Sequence, residues 1–156
     1  MSRLVMISGG ARGLGAAIAR RCLADGHRLS IGVRDPSKVA LAFPDVAADQ
    51  LTAHRFDADA PETAQAWVDA TVAQMGAPDA LINNAGILKM VDFTRGEESD
   101  LDDLWTVNVK GPFRLIRAAL PHLKASGRGR VVNIASTDAK RYRDASTSLG
   151  YVMTKQ

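Results

Sequence analysis

The chain has 156 residues, of which 46% are hydrophobic, and its formal net charge is +3. This length suits one domain, residues 1–156, with a sizeable core. The single cysteine, Cys22, excludes an internal disulfide and a cysteine metal cluster, and the scattered His27, His54 and His122 predict no metal site. No apolar run reaches the roughly 18 residues of a membrane span, and the start lacks a signal-peptide apolar region. We therefore expect a cytoplasmic protein with no membrane partner.

The charge is unevenly distributed along the chain. Residues 1–109 carry 10 basic and 15 acidic side chains, a net −5, whereas residues 110–156 carry 10 basic and 2 acidic, a net +8. A nucleic-acid surface would combine such a basic segment with interleaved aromatics or a known binding motif, and neither is present. We therefore expect no nucleic-acid partner and favour a solvated helix face and exit loop for Arg114, Arg117, Lys124, Arg128 and Arg130.

The first predicted elements are a short apolar strand, Arg3–Ile7, a glycine-rich turn over residues 8–15, and an alanine-rich helix, Ala16–Asp25. Glycines allow positive φ angles, let a ligand approach bare backbone, and let the helix lie close to the strand. A glycine cluster is commonly only a turn, but this position between strand and helix favours binding of dinucleotide phosphates at the helix start. We expect this helix to face the sheet through Leu14, Ile18 and Cys22.

Four further strands are predicted: Arg28–Val33, Ala53–Phe56, Ala80–Ile82 and Arg130–Ile134. Helical segments separate successive strands, and this alternation predicts an α/β fold with a doubly wound parallel sheet of the Rossmann type. In such a sheet, ligands bind beyond the C-terminal ends of the strands.

The helices on either side of the fourth strand are predicted from stripes of apolar residues and from residues that typically begin or end a helix. One opens at Pro61 and buries Ala64, Trp67, Val68, Thr71, Val72 and Met75. Ser99 is predicted to cap the next helix, whose inward residues are Leu101, Leu104 and Trp105. Gly111-Pro112 indicates a kink soon after Asn108.

The glycine spacing and a series of later residues form one ordered set. Gly9, Gly13 and Gly15 stand as in the turn T-G-x-x-x-G-x-G, with Ser8 in place of Thr. They are followed by Asp57, Asn83-Asn84-Ala85-Gly86, Asn108, Ser136, Tyr151 and Lys155. This set resembles the short-chain dehydrogenase/reductase family, and the likeness runs from Leu4 to Lys155.

The likeness covers only the front part of the family's usual domain. It therefore implies that the C-terminal strands and substrate-covering helices are missing from this chain, which would be a truncated dinucleotide-binding domain. It also implies that the complete protein is a homodimer or homotetramer.

The resemblance further implies a set of residues that bind the cofactor. These residues are Ser8, Gly9, Arg12, Gly13, Leu14, Gly15, Arg34, Asp57, Asn84, Ala85, Gly86, Tyr151 and Lys155. Within this set, the resemblance places Asp57 against the adenine amino group and Lys155 against the nicotinamide ribose hydroxyls.

The residues that end the second strand bear on which nicotinamide cofactor is bound. Dinucleotide folds commonly place an acid there on the ribose hydroxyls, but Val33 and Arg34 occupy this position. A guanidinium binds a 2′-phosphate through two charge-assisted hydrogen bonds, and Arg12 would hold the same phosphate from the other side. We therefore predict NADP(H), with NAD(H) as the alternative, and assign Asp35 to the cap of the following helix.

The remaining residues of the set suggest hydride transfer between a nicotinamide and a carbonyl or secondary alcohol. Tyr151 is the candidate general acid, and Lys155 follows four positions later on the same helix face. An adjacent ammonium favours the phenolate form of a tyrosine. Ser136 would donate a hydrogen bond to the developing oxyanion. The resemblance gives Asn108 a water that relays protons to Lys155.

Each of these residues also has a structural interpretation, such as a loop hydroxyl or a helix-kink filler. As an ordered set behind a glycine turn, they favour an enzyme over the alternative, a non-catalytic NADP-binding module that serves as a redox sensor or an inactive remnant. The segment before Tyr151 carries Lys140, Arg141 and Arg143, which hint at an anionic substrate. Solvated loop charge is the preferred interpretation of these three side chains.

Overall fold

The computed structural model describes residues 2–140 and 147–156. Its five strands are β1 (Leu4–Ser8), β2 (Arg28–Val33), β3 (Leu51–Arg55), β4 (Ala80–Asn83) and β5 (Arg130–Asn133). All pairings are parallel, and the strand order is β3-β2-β1-β4-β5. The predicted parallel α/β sheet is confirmed. Strand β3 starts two residues earlier than predicted, because Leu51 already pairs with Leu29 of β2.

Helices cover both faces of this sheet. They are α1 (Gly13–Ala24), α2 (Ser37–Ala42), α3 (Glu62–Met75), α4 (Glu98–Trp105), α5 (Gly111–Ala125) and α6 (Leu149–Thr154), with a 3-10 turn at Thr137–Lys140. One apolar cluster joins β1 and β4 to α3 and α5, and the other joins β1 and β2 to α1 and α2. Successive residues of β1 point to opposite faces, so Met6 enters the first cluster while Val5 and Ile7 enter the second.

Trp67 is the largest buried side chain of the predicted α3 stripe, which the structure confirms. Its indole Nε1 donates a hydrogen bond to the Ser30 hydroxyl at 2.8 Å, so its polar atom is satisfied within the core. Its ring lies directly against Gly32 of β2, where an added Cβ would come within 2.5 Å of the ring. Glycine is therefore required here by close packing.

Helices α4 and α5 are joined by a π-helical turn, Thr106–Lys110, which buries Asn108. A π turn inserts an extra residue and changes the helix face, a feature frequent at functional sites. The irregularity predicted near Asn108 is therefore confirmed, although the helix widens there and does not break.

The prediction that Leu14 and Trp105 face inward is wrong. Leu14 is 57% exposed, because α1 already begins at Gly13 and the sheet contacts of its first turns come from the small residues Gly15 and Ala16. Trp105 is 41% exposed, whereas Leu104 is fully buried. The periodicity of α4 fails at Trp105 because the π turn follows at once.

The predicted cap of α4 is also wrong. The helix begins at Glu98, one residue before Ser99. The Asp100 carboxylate accepts a hydrogen bond from the backbone N–H of Glu97 at 3.2 Å, so an acidic side chain closes this helix end.

An ion pair fastens the N-terminal edge of the sheet. The Asp79 carboxylate accepts two hydrogen bonds from the Arg128 guanidinium, at 2.8 and 3.0 Å, and a third from the backbone N–H of Leu4 at 3.0 Å. Arg128, predicted to be solvated, thus joins β1 to the residues before β4 and β5. Among the described residues, no helix combines the length and apolarity needed to cross a bilayer.

Candidate active site

The glycine turn between β1 and α1 is shaped by two backbone constraints. Gly9 has a φ of +72°, a conformation that side chains disfavour. At Gly15 an added Cβ would lie 2.2 Å from the Gly9 carbonyl oxygen, so α1 packs against the turn with no room for a side chain. The start of α1 is thereby held close to the end of β1.

The turn is bonded to the loop that follows β4. The buried Ser8 hydroxyl accepts hydrogen bonds from the backbone N–H groups of Asn84 and Ala85, each at 3.0 Å. In return, the Asn84 side-chain amide donates to the carbonyl oxygens of Ser8 and Gly9, also at 3.0 Å. Ser8 and Asn84 therefore fix two neighbouring strand ends relative to each other.

A cavity of about 710 Å³ opens at this C-terminal edge of the sheet. Such a volume falls within the usual range of small-molecule sites. Ten of the thirteen predicted cofactor residues line it: Gly9, Arg12, Gly13, Leu14, Gly15, Arg34, Asp57, Asn84, Ala85 and Gly86. The structure places Ser8, Tyr151 and Lys155 outside this lining.

The side chains at the β2 end of the cavity are mostly charged. Arg12, Arg34 and Lys38 are exposed lining residues, and Asp35 and Asp57 lie among them. The Asp57 carboxylate accepts a hydrogen bond from the backbone N–H two residues later in the chain, at 3.2 Å. Neither arginine side chain forms a hydrogen bond or ion pair with a residue that the structure describes. Both guanidinium groups are thus available to an anion.

Tyr151 lies on the short helix α6, whereas Lys155, predicted on the same helix, is the residue that directly follows its end. The Lys155 ammonium lies 5.9 Å from the centre of the Tyr151 ring and donates a hydrogen bond to the Ile134 carbonyl at 3.0 Å. Burial lowers the pKa of Lys155 from its ordinary value of 10.5, because the charged form loses hydration. The Ile134 contact links α6 to the segment just before Ser136.

Ser148 holds the start of α6. Its hydroxyl accepts hydrogen bonds from the backbone N–H groups of Tyr151 and Val91, each at 3.2 Å, and donates one to the Lys89 carbonyl at 2.6 Å. The hydroxyl is buried, so both N–H groups depend on it for their partner. Tyr151 is therefore positioned by a residue whose contacts reach 59 positions back along the chain.

Asn108 connects α6 to the cavity. Its side-chain oxygen accepts the Ile87 N–H at 2.9 Å, and its amide donates to the Ile87 carbonyl and the Thr154 hydroxyl, each at 3.0 Å. An added Cβ on Gly86 would lie 3.1 Å from the Asn108 side-chain oxygen and 3.2 Å from the Lys155 ammonium. Gly86 lines the cavity, so both side chains stand directly behind its wall.

Ser136 lies in the loop after β5 and is partly buried. Its hydroxyl accepts the backbone N–H of Asp138 at 3.2 Å, which fixes the loop start. Lys140 is exposed, whereas Arg141 and Arg143, the other cations of the suggested anionic subsite, lie outside the described residues.

Residues 3–155, nearly the whole chain, match the family described as short chain dehydrogenase. This chain belongs to the short-chain dehydrogenase family. Agropine synthesis reductase of Rhizobium rhizogenes is 39% identical to it, over 99% of this chain and 35% of the relative. The 2-(R)-hydroxypropyl-CoM dehydrogenase of Xanthobacter autotrophicus is 37% identical, over 87% of this chain and 57% of the relative. The chain therefore spans between about a third and three-fifths of these relatives' lengths.

Solved short-chain dehydrogenases share the fold. A short-chain dehydrogenase from Streptomyces avermitilis superposes with a TM-score of 0.87 at 30% identity, covering 99% of this chain and 56% of that one. An alcohol dehydrogenase from the archaeon Thermococcus sibiricus, complexed with 5-hydroxy-NADP, gives 0.90 at 26% identity, covering 99% and 66%. The parallel sheet and the glycine turn described above are thus those of the family.

The cavity fits the nicotinamide cofactors of short-chain dehydrogenases. Its glycine wall leaves backbone bare at Gly13, where an added Cβ would meet nothing within 4 Å. Bare backbone at a helix start suits a pyrophosphate, and the guanidinium groups of Arg12 and Arg34, which have no partner among the described residues, give this end of the cavity cations for an anionic ligand.

Several residues that position the site of this short-chain dehydrogenase were not predicted. Ser148 carries a detectable signal, because a serine three residues before Tyr151 matches a helix N-cap. Thr154 carries none, since its contact with Asn108 joins residues 46 positions apart.

Proposed function

We propose that the chain forms the cofactor-binding and catalytic part of an NADP-dependent oxidoreductase that interconverts a small carbonyl compound and a secondary alcohol. The main support is the convergence of Asn108 and Lys155 behind Gly86, at the end of a cavity that begins at the glycine turn. A nucleotide-binding module without turnover has no need of a half-buried ammonium beside a tyrosine at this place.

The proposed chemistry assigns one role to each side chain. The bound nicotinamide supplies the hydride, or accepts it in the reverse direction. Tyr151 donates a proton to the substrate oxygen, and Lys155 favours the phenolate that results. Ser136 donates a hydrogen bond to the same oxygen as negative charge grows there. Asn108 holds the Ile87 backbone and Thr154, and through them keeps α6 against the cavity wall.

The preference for NADP over NAD rests on charge at the β2 end. Arg34 follows the last residue of β2, and Arg12, in the glycine turn, lines the same cavity. The Thermococcus sibiricus relative was solved with 5-hydroxy-NADP, and a second neighbour, ElxO, with NADP bound at 25% identity and a TM-score of 0.88. A cytoplasmic location and a homodimeric or homotetrameric assembly complete the proposal.

Fluorescence titration with NADPH and NADH, followed by turnover assays on a panel of aldehydes and ketones, tests the proposal. We expect tighter NADPH binding and measurable carbonyl reduction. Tyr151→Phe should lower kcat by about 10²–10⁴-fold, the usual contribution of general acid catalysis, while NADPH binding changes by less than about twofold. Full turnover in Tyr151→Phe would refute the role of this residue, and absence of nucleotide binding would refute the function.

A further inference from the structure

Arg114 on α5 contacts the loop that follows β3, residues 56–60, which we name the 56–60 loop. Although the sequence predicts a solvated side chain, Arg114 is half-buried, and its Nη1 donates a hydrogen bond to the Ala58 carbonyl oxygen at 2.7 Å. Among the described residues, no other group donates to this carbonyl. The guanidinium therefore holds the middle of a loop that lies 56 positions away in the sequence.

The start of α5 also packs directly against the 56–60 loop. Gly111 is buried, and an added Cβ there would lie 3.4 Å from the Ala58 Cβ and 3.7 Å from the Phe56 ring atom Cζ. Phe56 and Ala58 are buried in the apolar cluster that joins α3 and α5 to the sheet. Apolar packing thus brings the Ala58 carbonyl within reach of Arg114, and the hydrogen bond fixes its direction.

The 56–60 loop forms one wall of the cavity, which Phe56, Asp57, Ala58 and Asp59 all line. The beginning of the loop is held from α3, where the Thr63 hydroxyl accepts a hydrogen bond from the Asp57 N–H at 3.0 Å. Neither Thr63 nor Arg114 belongs to the lining of the cavity. Both side chains can therefore influence a ligand only through the loop that they hold.

The hydrogen bond from Arg114 differs from the others on this loop because its donor is charged. Charge-assisted hydrogen bonds are stronger than neutral ones, so the Ala58 carbonyl is held more firmly than by water. A ligand that meets an ordered loop avoids the entropic cost of ordering it. Removal of the guanidinium would free the carbonyl while the bond from Thr63 and the apolar packing stay in place. The cost should then appear in binding affinity at this wall.

Resting on the proposed function, we infer that Arg114 is a positioning residue that holds the 56–60 loop in the conformation that binds the adenosine part of the cofactor. Arg114 acts through the Ala58 carbonyl and so on Asp57, and it does not touch the ligand itself. The ligand class is an adenine nucleotide, because the Asp57 carboxylate can accept a hydrogen bond from the exocyclic amino group of adenine.

Calorimetric titration with 2′,5′-ADP tests this inference, since that nucleotide is the adenine-containing half of NADP and lacks the nicotinamide. Arg114→Met keeps an apolar stem and removes the donors, and it should raise the Kd about fivefold, on the scale of one hydrogen bond from a charged group. Arg114→Lys retains a charged donor and should restore most of the affinity. Arg117→Met, at an exposed position one turn later on α5, removes the same charge and should bind like the unsubstituted chain.

Steady-state kinetics separate positioning from a purely structural role. In Arg114→Met the KM for NADPH should rise about fivefold while kcat at saturating NADPH changes less than about twofold. The reason is that Asn108 keeps its hydrogen bonds to Ile87 and Thr154, so α6 stays in place. A role in stability alone would lower the Tm and leave both the Kd and the KM unchanged, and that result would overturn the inference.

The outcomes distinguish this inference from the proposed function. If 2′,5′-ADP binds equally well to the unsubstituted chain and to Arg114→Met, or if Arg117→Met weakens it as much, the inference is overturned while the cofactor site stands. If neither 2′,5′-ADP nor 5′-AMP binds to the folded, unsubstituted chain, the proposed function fails and the inference fails with it. Circular dichroism of each variant confirms that the fold is retained.

Discussion

The two ends of the cavity are built in different ways. The glycine-turn end, around Gly9 and Gly15, is shaped by backbone packing and by strands β1 and β4, which pair up to their C-terminal ends. The other end, called the Tyr151 end, is the wall at Gly86 with α6 behind it, and α6 is a helix of six residues whose place depends on side-chain hydrogen bonds from Ser148 and Asn108. Both ends belong to the proposed site, but they differ in what holds them.

This difference has a practical meaning for tolerance to substitution. A backbone-defined end fails when a side chain is added where none fits, whereas an end held by side chains fails when one of them is removed. Short isolated helices are marginal in water, so α6 depends on its tertiary contacts for its structure. We therefore expect stability effects to dominate at the first end and catalytic effects at the second.

The largest effect is expected from Gly15→Ala. The added Cβ would lie 2.2 Å from the Gly9 carbonyl oxygen and 2.5 Å from the Asn84 side-chain nitrogen, so the turn must move. We expect a loss of about 3 kcal/mol in unfolding free energy, typical of severe overpacking, together with loss of nucleotide binding. Urea denaturation and 2′,5′-ADP calorimetry measure both. The control is Ala17→Ser on the exposed side of α1, and unchanged binding by Gly15→Ala would contradict the packing argument.

Asp79→Asn provides a reference away from both ends. Burial disfavours the Asp79 carboxylate, but the hydrogen bonds from Arg128 and Leu4 outweigh it and lower its pKa below the ordinary 3.8. A lowered pKa contributes stability above the ordinary value, and this contribution is lost as the pH falls through the folded value. We expect the substitution to cost about 2 kcal/mol at pH 7, the scale of hydrogen bonds to a charged group.

Urea denaturation from pH 7 to pH 2 measures this dependence. The stability difference between Asp79→Asn and the unsubstituted chain should shrink below about pH 4, and nucleotide affinity at pH 7 should stay the same. Asp49→Asn, at an exposed position, is the control. If the stability difference stayed constant down to pH 2, ionisation of the Asp79 carboxylate could not be the cause of it.

Ser148→Ala is expected to act on catalysis more than on binding. The change leaves the buried N–H groups of Val91 and Tyr151 without their partner, at a cost of about 1–2 kcal/mol. Because α6 carries Tyr151 and ends directly before Lys155, kcat should fall about tenfold while the NADPH Kd changes less. Ser126→Ala removes comparable hydrogen bonds at the end of α5 and should leave kcat unchanged. An equal loss of kcat in both variants would show that Ser148 has no special role in positioning Tyr151.

The smallest effect is expected from Lys89→Met. The Lys89 ammonium contacts the carboxylates of Asp100 and Asp103, and its own carbonyl accepts the Ser148 hydrogen bond. The ion pairs are partly exposed, so their contribution is modest and screened by salt. We expect a Tm decrease smaller than that of Ser148→Ala, and abolished in high salt. A salt-independent decrease, or an equal one in the exposed control Lys110→Met, would contradict this account.

The sequence predicted the sheet and the glycine-turn end better than the Tyr151 end. Strands β1, β2 and β4 are largely apolar local runs, and the glycine turn lies within eight consecutive residues. The contacts that hold α6 join Ser148 to residue 91 and Asn108 to Thr154, which only the finished fold brings together. Leu14 and Trp105 were misplaced for a related reason: a helix period gives a face only where the helix is regular and covered by the sheet.

The packing of Trp67 against Gly32 also gives this protein an internal optical probe. The chain has two tryptophans, Trp67 in the core and the exposed Trp105. Iodide in solution should quench the emission of Trp105 and spare that of Trp67. The remaining signal would come from a ring on the back of the cavity wall, so the protein carries its own fluorophore for following nucleotide entry without a label.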